Sequence, residues 1–173
     1  IMTDPSKVKA DILPYSDEYA RSVLSWIECE ETLYNLCRSK DFPPQENLLK
    51  AWHRKDVTPY LLFSSNKPVA YGELWKRPME MAMEIAHLLV DPYKRSEGYG
   101  SLMLELLFQR AAQKQGITKV MITLYGTDEA AVERGVAFRS ERAVRTRIDF
   151  PGVLIVDVKR VAVVVRVEHG VTV

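Results

Sequence analysis

The sequence predicts an α/β fold with a mixed, mostly antiparallel central sheet, flanking helices and one βαβ unit. Two observations carry this prediction. Strand-like runs joined by short polar links fill residues 59–90, which favours antiparallel hairpins. Residues 81–124 then read as a strand, a glycine-containing loop, an amphipathic helix and a further strand. That order is typical of two parallel strands with a right-handed crossover.

The sequence of the first third of the chain predicts mostly helix. A short strand over residues 8–13 ends at Pro14, and apolar residues then follow helical spacing over 16–27, with Ser16 or Asp17 as the cap. Further helices are predicted over 30–37 and 45–54, on either side of a break at Asp41-Phe42-Pro43-Pro44.

The middle and the end of the chain predict a sheet around one long helix. Residues 81–90 are nearly all apolar in their second half, which indicates a strand buried on both faces. Residues 100–115 place their apolar side chains on one helical face, and Gly116 is placed to end that helix. The other predicted elements are strands over 59–64, 68–76, 118–124 and 139–150, a short helix over 128–134 and a β-hairpin over 153–167.

Length, composition and charge indicate an ordinary globular protein. The 173 residues are 47% hydrophobic and 27% charged, which predicts a single domain over residues 2–173. A net charge of +1 provides no basic field for nucleic acid, and no apolar run reaches the roughly 18 residues of a membrane span. Cys29 and Cys37 form no CxxC pair, so we expect reduced, partly buried thiols, a cytoplasmic location, and neither nucleic-acid nor membrane partners.

The loop Arg95-Ser96-Glu97-Gly98-Tyr99-Gly100 has two interpretations. Two glycines permit a plain turn between strand and helix. Because the loop enters a helix at its N-terminus, its unpaired amides and the helix dipole would equally suit an anion. The loop is not a Walker motif, since no Gly-Lys-Ser/Thr follows, and it fits the dinucleotide-binding fingerprint poorly.

The stretch "HLLVDPYKRSEGYGSLMLELL" resembles the acetyl-CoA-binding segment of the GNAT superfamily of N-acetyltransferases. Arg95, Gly98 and Gly100 match its Arg/Gln-x-x-Gly-x-Gly/Ala pattern, and the element order also matches. The resemblance implies a GNAT-like fold whose βαβ unit binds acyl-CoA in a V-shaped slot between the fourth and fifth strands. It implies acetyl-CoA as cosubstrate and no metal. The pantetheine would pair with the backbone of Leu88, Leu89 and Val90, and the pyrophosphate with the amides of Arg95, Ser96, Glu97, Gly98, Tyr99, Gly100 and Ser101.

Acetylation of an amine needs a general base, and Glu84 is the predicted one. A primary amine with a pKa near 10.4 is neutral in about one molecule in 2,500 at pH 7, a penalty of roughly 4.6 kcal/mol. Glu84 interrupts an apolar strand fourteen residues before Gly98, an offset that resembles the catalytic glutamate of histone-acetylating members. A surface salt bridge is the alternative role. His87 is the second candidate, and Glu73 and Glu80 are weaker ones. A bulge near Leu89 would, by resemblance, aim an N–H at the thioester carbonyl.

The segment after the fifth strand departs from the family pattern. "GTDEAAVERGVAF" contains no tyrosine to protonate the departing thiolate, and Tyr125 stands just ahead of it. The sequence therefore leaves three functions open: an N-acetyltransferase acting by direct attack, a non-catalytic acyl-CoA-binding or regulatory module, or a structural interaction domain that dimerises through its β-rich tail. The acceptor, a small-molecule or peptide amine, has no signature. The β-rich tail adds a homodimer as a further expectation.

Overall fold

The computed structural model describes residues 11–125, 145–148, 153–158 and 161–168, and these form one sheet with helices on both of its faces. The eight strands within the described residues are β1 (Ile12–Pro14), β2 (Val57–Ser64), β3 (Lys67–Arg77), β4 (Ala82–Val90), β5 (Lys119–Tyr125), β6 (Arg145–Ile148), β7 (Val153–Val158) and β8 (Val161–Glu168). Their order across the sheet is β1-β2-β3-β4-β5-β8-β7-β6.

The predicted mixed, mostly antiparallel sheet is confirmed. Strand pairs β1–β2, β2–β3, β3–β4, β6–β7 and β7–β8 are antiparallel, whereas β4–β5 and β5–β8 are parallel. The parallel β4–β5 pair is the one that the predicted βαβ unit requires. The predicted hairpin near the end of the chain is formed by β7 and β8.

The helices agree with the predicted ones in kind and differ at their ends. They are α1 (Ala20–Ser25), α2 (Glu30–Cys37), α3 (Leu48–Trp52) and α4 (Tyr99–Ala112). A 3-10 turn over Asp17–Tyr19 precedes α1. The predicted cap Ser16 is the N-cap residue of that turn, Tyr19 is the N-cap residue of α1, and neither side chain makes a capping bond. Gly116 has a φ of 82°, but it lies beyond the C-cap residue Gln113 rather than directly after the helix.

Two apolar clusters cover the two faces of the sheet. The first packs α4 through Met103, Leu107 and Ala111 against the strands. The second packs α1, α2 and α3 against the opposite face, around buried Leu61 and Tyr71. Because strand residues alternate between faces, the side chains of β3 and β4 divide between these clusters.

Gly72 lets α4 lie close to β3. A Cβ atom built there would lie 2.7 Å from Leu107 Cδ1, a distance shorter than the contacts that Cβ atoms make in proteins. The contact places α4 directly behind the middle of β3 and β4, where the site described below lies.

Some predictions lie outside the described residues, namely the strand start over 8–10, the helix over 128–134 and the strand start over 139–144. Cys29 and Cys37 are both free thiols as predicted, but Cys29 is exposed rather than partly buried. No helix within the described residues is long and apolar enough to cross a membrane.

Candidate active site

The strands β4 and β5 separate partway along their length. They pair in parallel from Ala82↔Lys119 to Ile85↔Ile122. Beyond Ile85, β4 continues to Val90 along β3, while β5 continues to Tyr125 along β8. No ladder joins the two strands in this stretch of the described chain. The backbone of β4 after Ile85 therefore presents one edge to a slot, as the resemblance implied.

A β-bulge lies in β4 at the start of this slot. Tyr71 is opposite Leu89 and Glu73 is opposite Ala86. Two residues of β4, His87 and Leu88, therefore lie opposite the single residue Gly72 of β3. His87, within the bulge, has a φ of 50°, an uncommon value for a residue with a side chain. Such outliers cost about 1–3 kcal/mol each and cluster at functional sites. The bulge re-aims His87 and the groups that follow it.

The loop over residues 95–101, here called the glycine loop, joins β4 to α4. Ser96 and Gly98 both have positive φ, at 64° and 87°. The Gly98 carbonyl accepts the first helical bond, from Leu102 N at 3.0 Å. The amides of residues 95–101 make no hydrogen bond to another group in the described part of the chain. A run of unpaired amides at the positive end of a fourteen-residue helix is suited to an anion.

The side chains of the glycine loop leave its amides accessible. Glu97 is exposed, so its carboxylate has solvent around it. Arg95 Nη1 lies 3.5 Å from Glu28 Oε2, and both side chains are about half exposed. A pair of this kind contributes little to stability, so Arg95 can turn toward another anion at small cost.

Glu84 is buried and ion-paired. It lies opposite Trp75 in the β3–β4 register, in the part of β4 that still pairs with β5. Arg77 Nε and Nη2 donate to its Oε2 at 2.7 and 2.5 Å, and 11% of the Glu84 side chain is exposed. The predicted base is therefore a buried carboxylate with a cationic partner. The alternative role, a surface salt bridge, agrees with the structure in one respect. The salt bridge is formed, but only its Arg77 side chain is exposed, whereas Glu84 is buried.

Glu73 is the centre of a second polar group, the Glu73 cluster, which consists of Glu73, Tyr71, Trp75, His87 and His53. Tyr71 Oη donates to Glu73 Oε1 at 2.6 Å, and Trp75 Nε1 donates to Oε2 at 2.6 Å. His87 Nδ1 lies 2.9 Å from the same Oε2. Glu73 is fully buried, and its hydrogen bonds offset the free-energy cost of burying a carboxylate.

His53 extends the Glu73 cluster toward the surface. Its Nε2 lies 2.9 Å from Tyr71 Oη, and because the Tyr71 hydrogen is donated to Glu73, this nitrogen donates. Burial lowers the pKa of His53, which keeps the ring neutral at neutral pH. Burial, followed by the charge of Glu73, raises the pKa of Tyr71 far above its ordinary value. Tyr71 is therefore a neutral donor.

Two tryptophans enclose the ring of His87. The Trp52 ring stacks on it, with centroids 3.9 Å apart at 28°, and Trp75 meets it edge-on at 5.2 Å. Trp75 lies in turn 5.3 Å from the guanidinium of Arg77. A continuous polar and aromatic strip thus runs along this face of β3 and β4, from the Glu84 ion pair to the bulge.

The structure gathers the predicted site residues along β4 and the glycine loop. Glu84, Leu88, Leu89 and Val90 belong to β4, and Arg95 through Ser101 follow it. Glu80 is exposed in the turn before β4, and the side chain of Tyr125 lies outside the described set. Sequence reasoning ranked Glu73 low and missed Arg77. The period-two alternation of "PVAYGELWKR" already places Tyr71, Glu73, Trp75 and Arg77 on one face.

The comparisons with known proteins identify the family. The model of the acetyltransferase (GNAT) family matches residues 21–134, so the chain belongs to the GNAT family, and the resemblance is confirmed. No curated protein matches the chain by sequence. Within the described residues there is no group of three or more His, Cys, Asp or Glu that could hold a metal ion.

Solved structures share the fold at low identity. Aminoglycoside acetyltransferase AAC(6')-Ib in complex with coenzyme A and kanamycin superposes with a TM-score of 0.61 at 11% identity, over 89% of this chain and 91% of that one. RimL, a ribosomal alpha-N-protein acetyltransferase in complex with coenzyme A, gives 0.61 at 13%, over 78% and 81%. A spermidine N-acetyltransferase chimera from Vibrio cholerae and hSSAT gives 0.60 at 9%, over 75% and 79%.

Proposed function

We propose that this protein transfers the acetyl group of acetyl-CoA to a primary amine by direct attack of the amine on the thioester. The single observation that carries the proposal is the run of unpaired amides at residues 95–101, beside the separation of β4 and β5. In this proposal residues 2–173 form one GNAT-like domain that acts in the cytoplasm, and the continuous sheet of the described residues supports the single domain.

The cofactor is proposed to occupy the slot and the glycine loop. The diphosphate would accept hydrogen bonds from the amides between Arg95 and Ser101, because these point out of a helix N-terminus and have no other partner in the described chain. The pantetheine would pair with the free edge of β4 at Leu88, Leu89 and Val90, as a short added strand. Two of the structural relatives contain coenzyme A, which supports this choice of cosubstrate.

The chemistry proposed for the site is removal of a proton from the acceptor and polarisation of the thioester. Glu84 serves as the general base through a water molecule, and Arg77 fixes its orientation through two hydrogen bonds. The bulge at His87 gives the backbone N–H near Leu89 a direction different from that of a regular strand, so that it can polarise the thioester carbonyl.

The acceptor is proposed to approach from the face that carries α1, α2 and α3. Glu84 and the Glu73 cluster lie on that face, and two buried carboxylates beside aromatic rings suit a cationic amine. The structural relatives include a spermidine N-acetyltransferase, an aminoglycoside acetyltransferase and a ribosomal alpha-N-protein acetyltransferase. Small-molecule and peptide amines are therefore both included in the proposal, as is a homodimer through the strands β6–β8.

A second candidate function is a non-catalytic acyl-CoA-binding or regulatory module. It is favoured by one observation, the lack of a tyrosine in the stretch "GTDEAAVERGVAF", where family members carry the residue that protonates the thiolate. A thiol with a pKa near 8.5 still leaves tolerably well as thiolate at neutral pH, so catalysis does not require that tyrosine.

Turnover separates the two functions. We expect release of the coenzyme A thiol from acetyl-CoA in the presence of spermidine, kanamycin or a peptide with a free N-terminus, measured with a thiol reagent. Binding of acetyl-CoA in calorimetry without turnover on any of these amines would favour the binding module. Absence of binding would contradict both functions.

A further inference from the structure

The hydrogen bonds of the Glu73 cluster determine which nitrogen of His87 is basic. Glu73 makes hydrogen bonds with Tyr71, Trp75 and His87. All three can donate at once only when Glu73 is a carboxylate, because a protonated carboxyl would need an acceptor for its own hydrogen. Nδ1 of His87 then carries a hydrogen, and in the neutral ring the lone pair lies on Nε2.

The Nε2 atom of His87 is accessible. It has no hydrogen-bond partner in the described part of the chain, where the buried side-chain atom without a partner is Tyr15 Oη alone. Nε2 is thus not among the fully buried atoms without a partner, and 10% of the His87 side chain is exposed. One side of the ring is fixed by Glu73, its face is covered by Trp52, and its basic atom is open.

A positive charge on His87 would be compensated locally. Glu73 is fully buried, and within the described residues its one ion-pair partner is His87. Proton uptake at Nε2 would turn a buried lone carboxylate into a buried ion pair and place a cationic ring against the Trp52 ring. Glu73 is therefore placed to provide the counter-charge of a cationic His87 ring.

The proposed reaction includes two proton transfers from the acceptor nitrogen, which two residues can share. The nitrogen of a primary ammonium carries three hydrogens, and the nitrogen of the product amide carries one. Two protons therefore leave the nitrogen. One is transferred to the sulfur of coenzyme A as it departs, and the other goes to water. Glu84 provides for one of these transfers.

Resting on the proposed function, we propose that His87 is the second proton-accepting residue of the transfer, with Glu73 as its positioning residue. The amine nitrogen attacks the thioester carbonyl and the C–N bond forms. His87 Nε2 then takes the second proton of the nitrogen and passes it to the sulfur as the C–S bond breaks. His87 lies in the bulge, two residues from Leu89, whereas Glu84 lies five residues from it in the paired part of β4. This position also supplies the proton donor that the missing tyrosine leaves unassigned.

The first experiment replaces the His87 ring with a free base. His87→Gly suits the positive φ of this position and opens a space between Trp52 and Trp75. We expect kcat/KM to fall about 100-fold, which is the contribution of one acid–base group. Added imidazole should then raise the kcat/KM of the variant at least about tenfold. Pyrazole, which has the same size and is a much weaker base, should restore nothing. Equal rescue by both, or an unchanged rate in the variant, would overturn the role of His87.

The second experiment determines which ring nitrogen of His87 carries the hydrogen, and it does not depend on turnover. Long-range ¹H–¹⁵N NMR spectra should show His87 with hydrogen on Nδ1 in the neutral ring, and His87→Asn assigns the signal among the three histidines of the chain. Glu73→Leu removes the acceptor of Nδ1, so the hydrogen should move to Nε2. A hydrogen on Nε2 in the wild-type protein would overturn the proposal even if turnover is found. A wild-type protein that acetylates no amine would overturn the proposed function itself, and these two failures are therefore distinguishable.

Discussion

The glycine loop follows β4, and the Glu73 cluster contacts β4 through His87. Both are suited to charged groups, but the glycine loop has unpaired hydrogen-bond donors and the Glu73 cluster is fully hydrogen-bonded. The amides of the glycine loop have no partner in the described chain, whereas Glu73 accepts from two side chains and contacts a third. Unpaired donors at a helix N-terminus are suited to an anion that comes and goes. A saturated, buried carboxylate is suited to fixing the orientation of a neighbour permanently. The strand β4 thus links the proposed cofactor site to the proposed proton-transfer site.

The largest expected effect comes from changing the glycine loop at Gly98. Its φ of 87° strains any β-branched residue, although a Cβ there would have open space. Gly98→Val should lower the affinity for coenzyme A at least about 100-fold, since each lost bond to a charged group is worth about 1.5–3 kcal/mol. Isothermal calorimetry measures this loss.

Gly116→Val is the matched control for this change. Gly116 has a φ of 82° and similar open space, but it lies after the far end of α4. The two variants should lose similar stability, while only Gly98→Val loses coenzyme A binding. Equal affinity in both variants would remove the glycine loop from the binding site.

The next largest effect is expected from Glu84, the proposed base, which is ion-paired with Arg77. Glu84→Gln keeps an acceptor for Arg77 but cannot take a proton, so kcat/KM should fall about 100-fold. The loss should be greatest at low pH, where the acceptor amine is most fully protonated. A pH–rate profile measures it, with exposed Glu80→Gln as the control. A variant whose profile matches the wild type would exclude Glu84 as the base.

A smaller effect is expected from Glu73→Gln, which should lower stability without changing cofactor binding. Glu73→Gln places an amide among donors, so a buried group loses its partner at about 1–3 kcal/mol of unfolding free energy. Coenzyme A affinity should stay within about twofold. Exposed Glu97→Gln in the glycine loop should leave stability unchanged. Urea unfolding and calorimetry of both variants test the contrast, and a loss of affinity in Glu73→Gln would show that the two sites are not independent.

The smallest effect is a pH dependence of stability from His53. Burial lowers its folded pKa below the ordinary value of 6.5, so the unfolded chain takes up the proton first as pH falls. This contribution to stability is complete above about pH 6.5 and declines below it. The urea midpoint should therefore fall less between pH 7.5 and 5.5 in His53→Gln, which still donates to Tyr71. An identical decline in both proteins would contradict the assignment.

The sequence allowed the sheet, the βαβ unit and the glycine loop to be predicted because each depends on local patterns. The alternation of apolar residues and the helical spacing of Leu102, Met103, Leu106 and Leu107 are visible in a single segment. The Glu73 cluster could not be predicted in the same way, since it brings together His53, which follows α3, and residues of β3 and β4 that are up to 34 positions away. The bulge at His87 was expected from resemblance, because no residue in "IAHLLV" marks it by itself.

A crystal structure with bound acetyl-CoA tests the central claim most directly. We expect several amide nitrogens between Ser96 and Ser101 to lie about 2.9 Å from diphosphate oxygens, with the thioester near the N–H of Leu89. A cofactor bound elsewhere, with the amides of the glycine loop bonded to carbonyl groups of the protein, would contradict the claim.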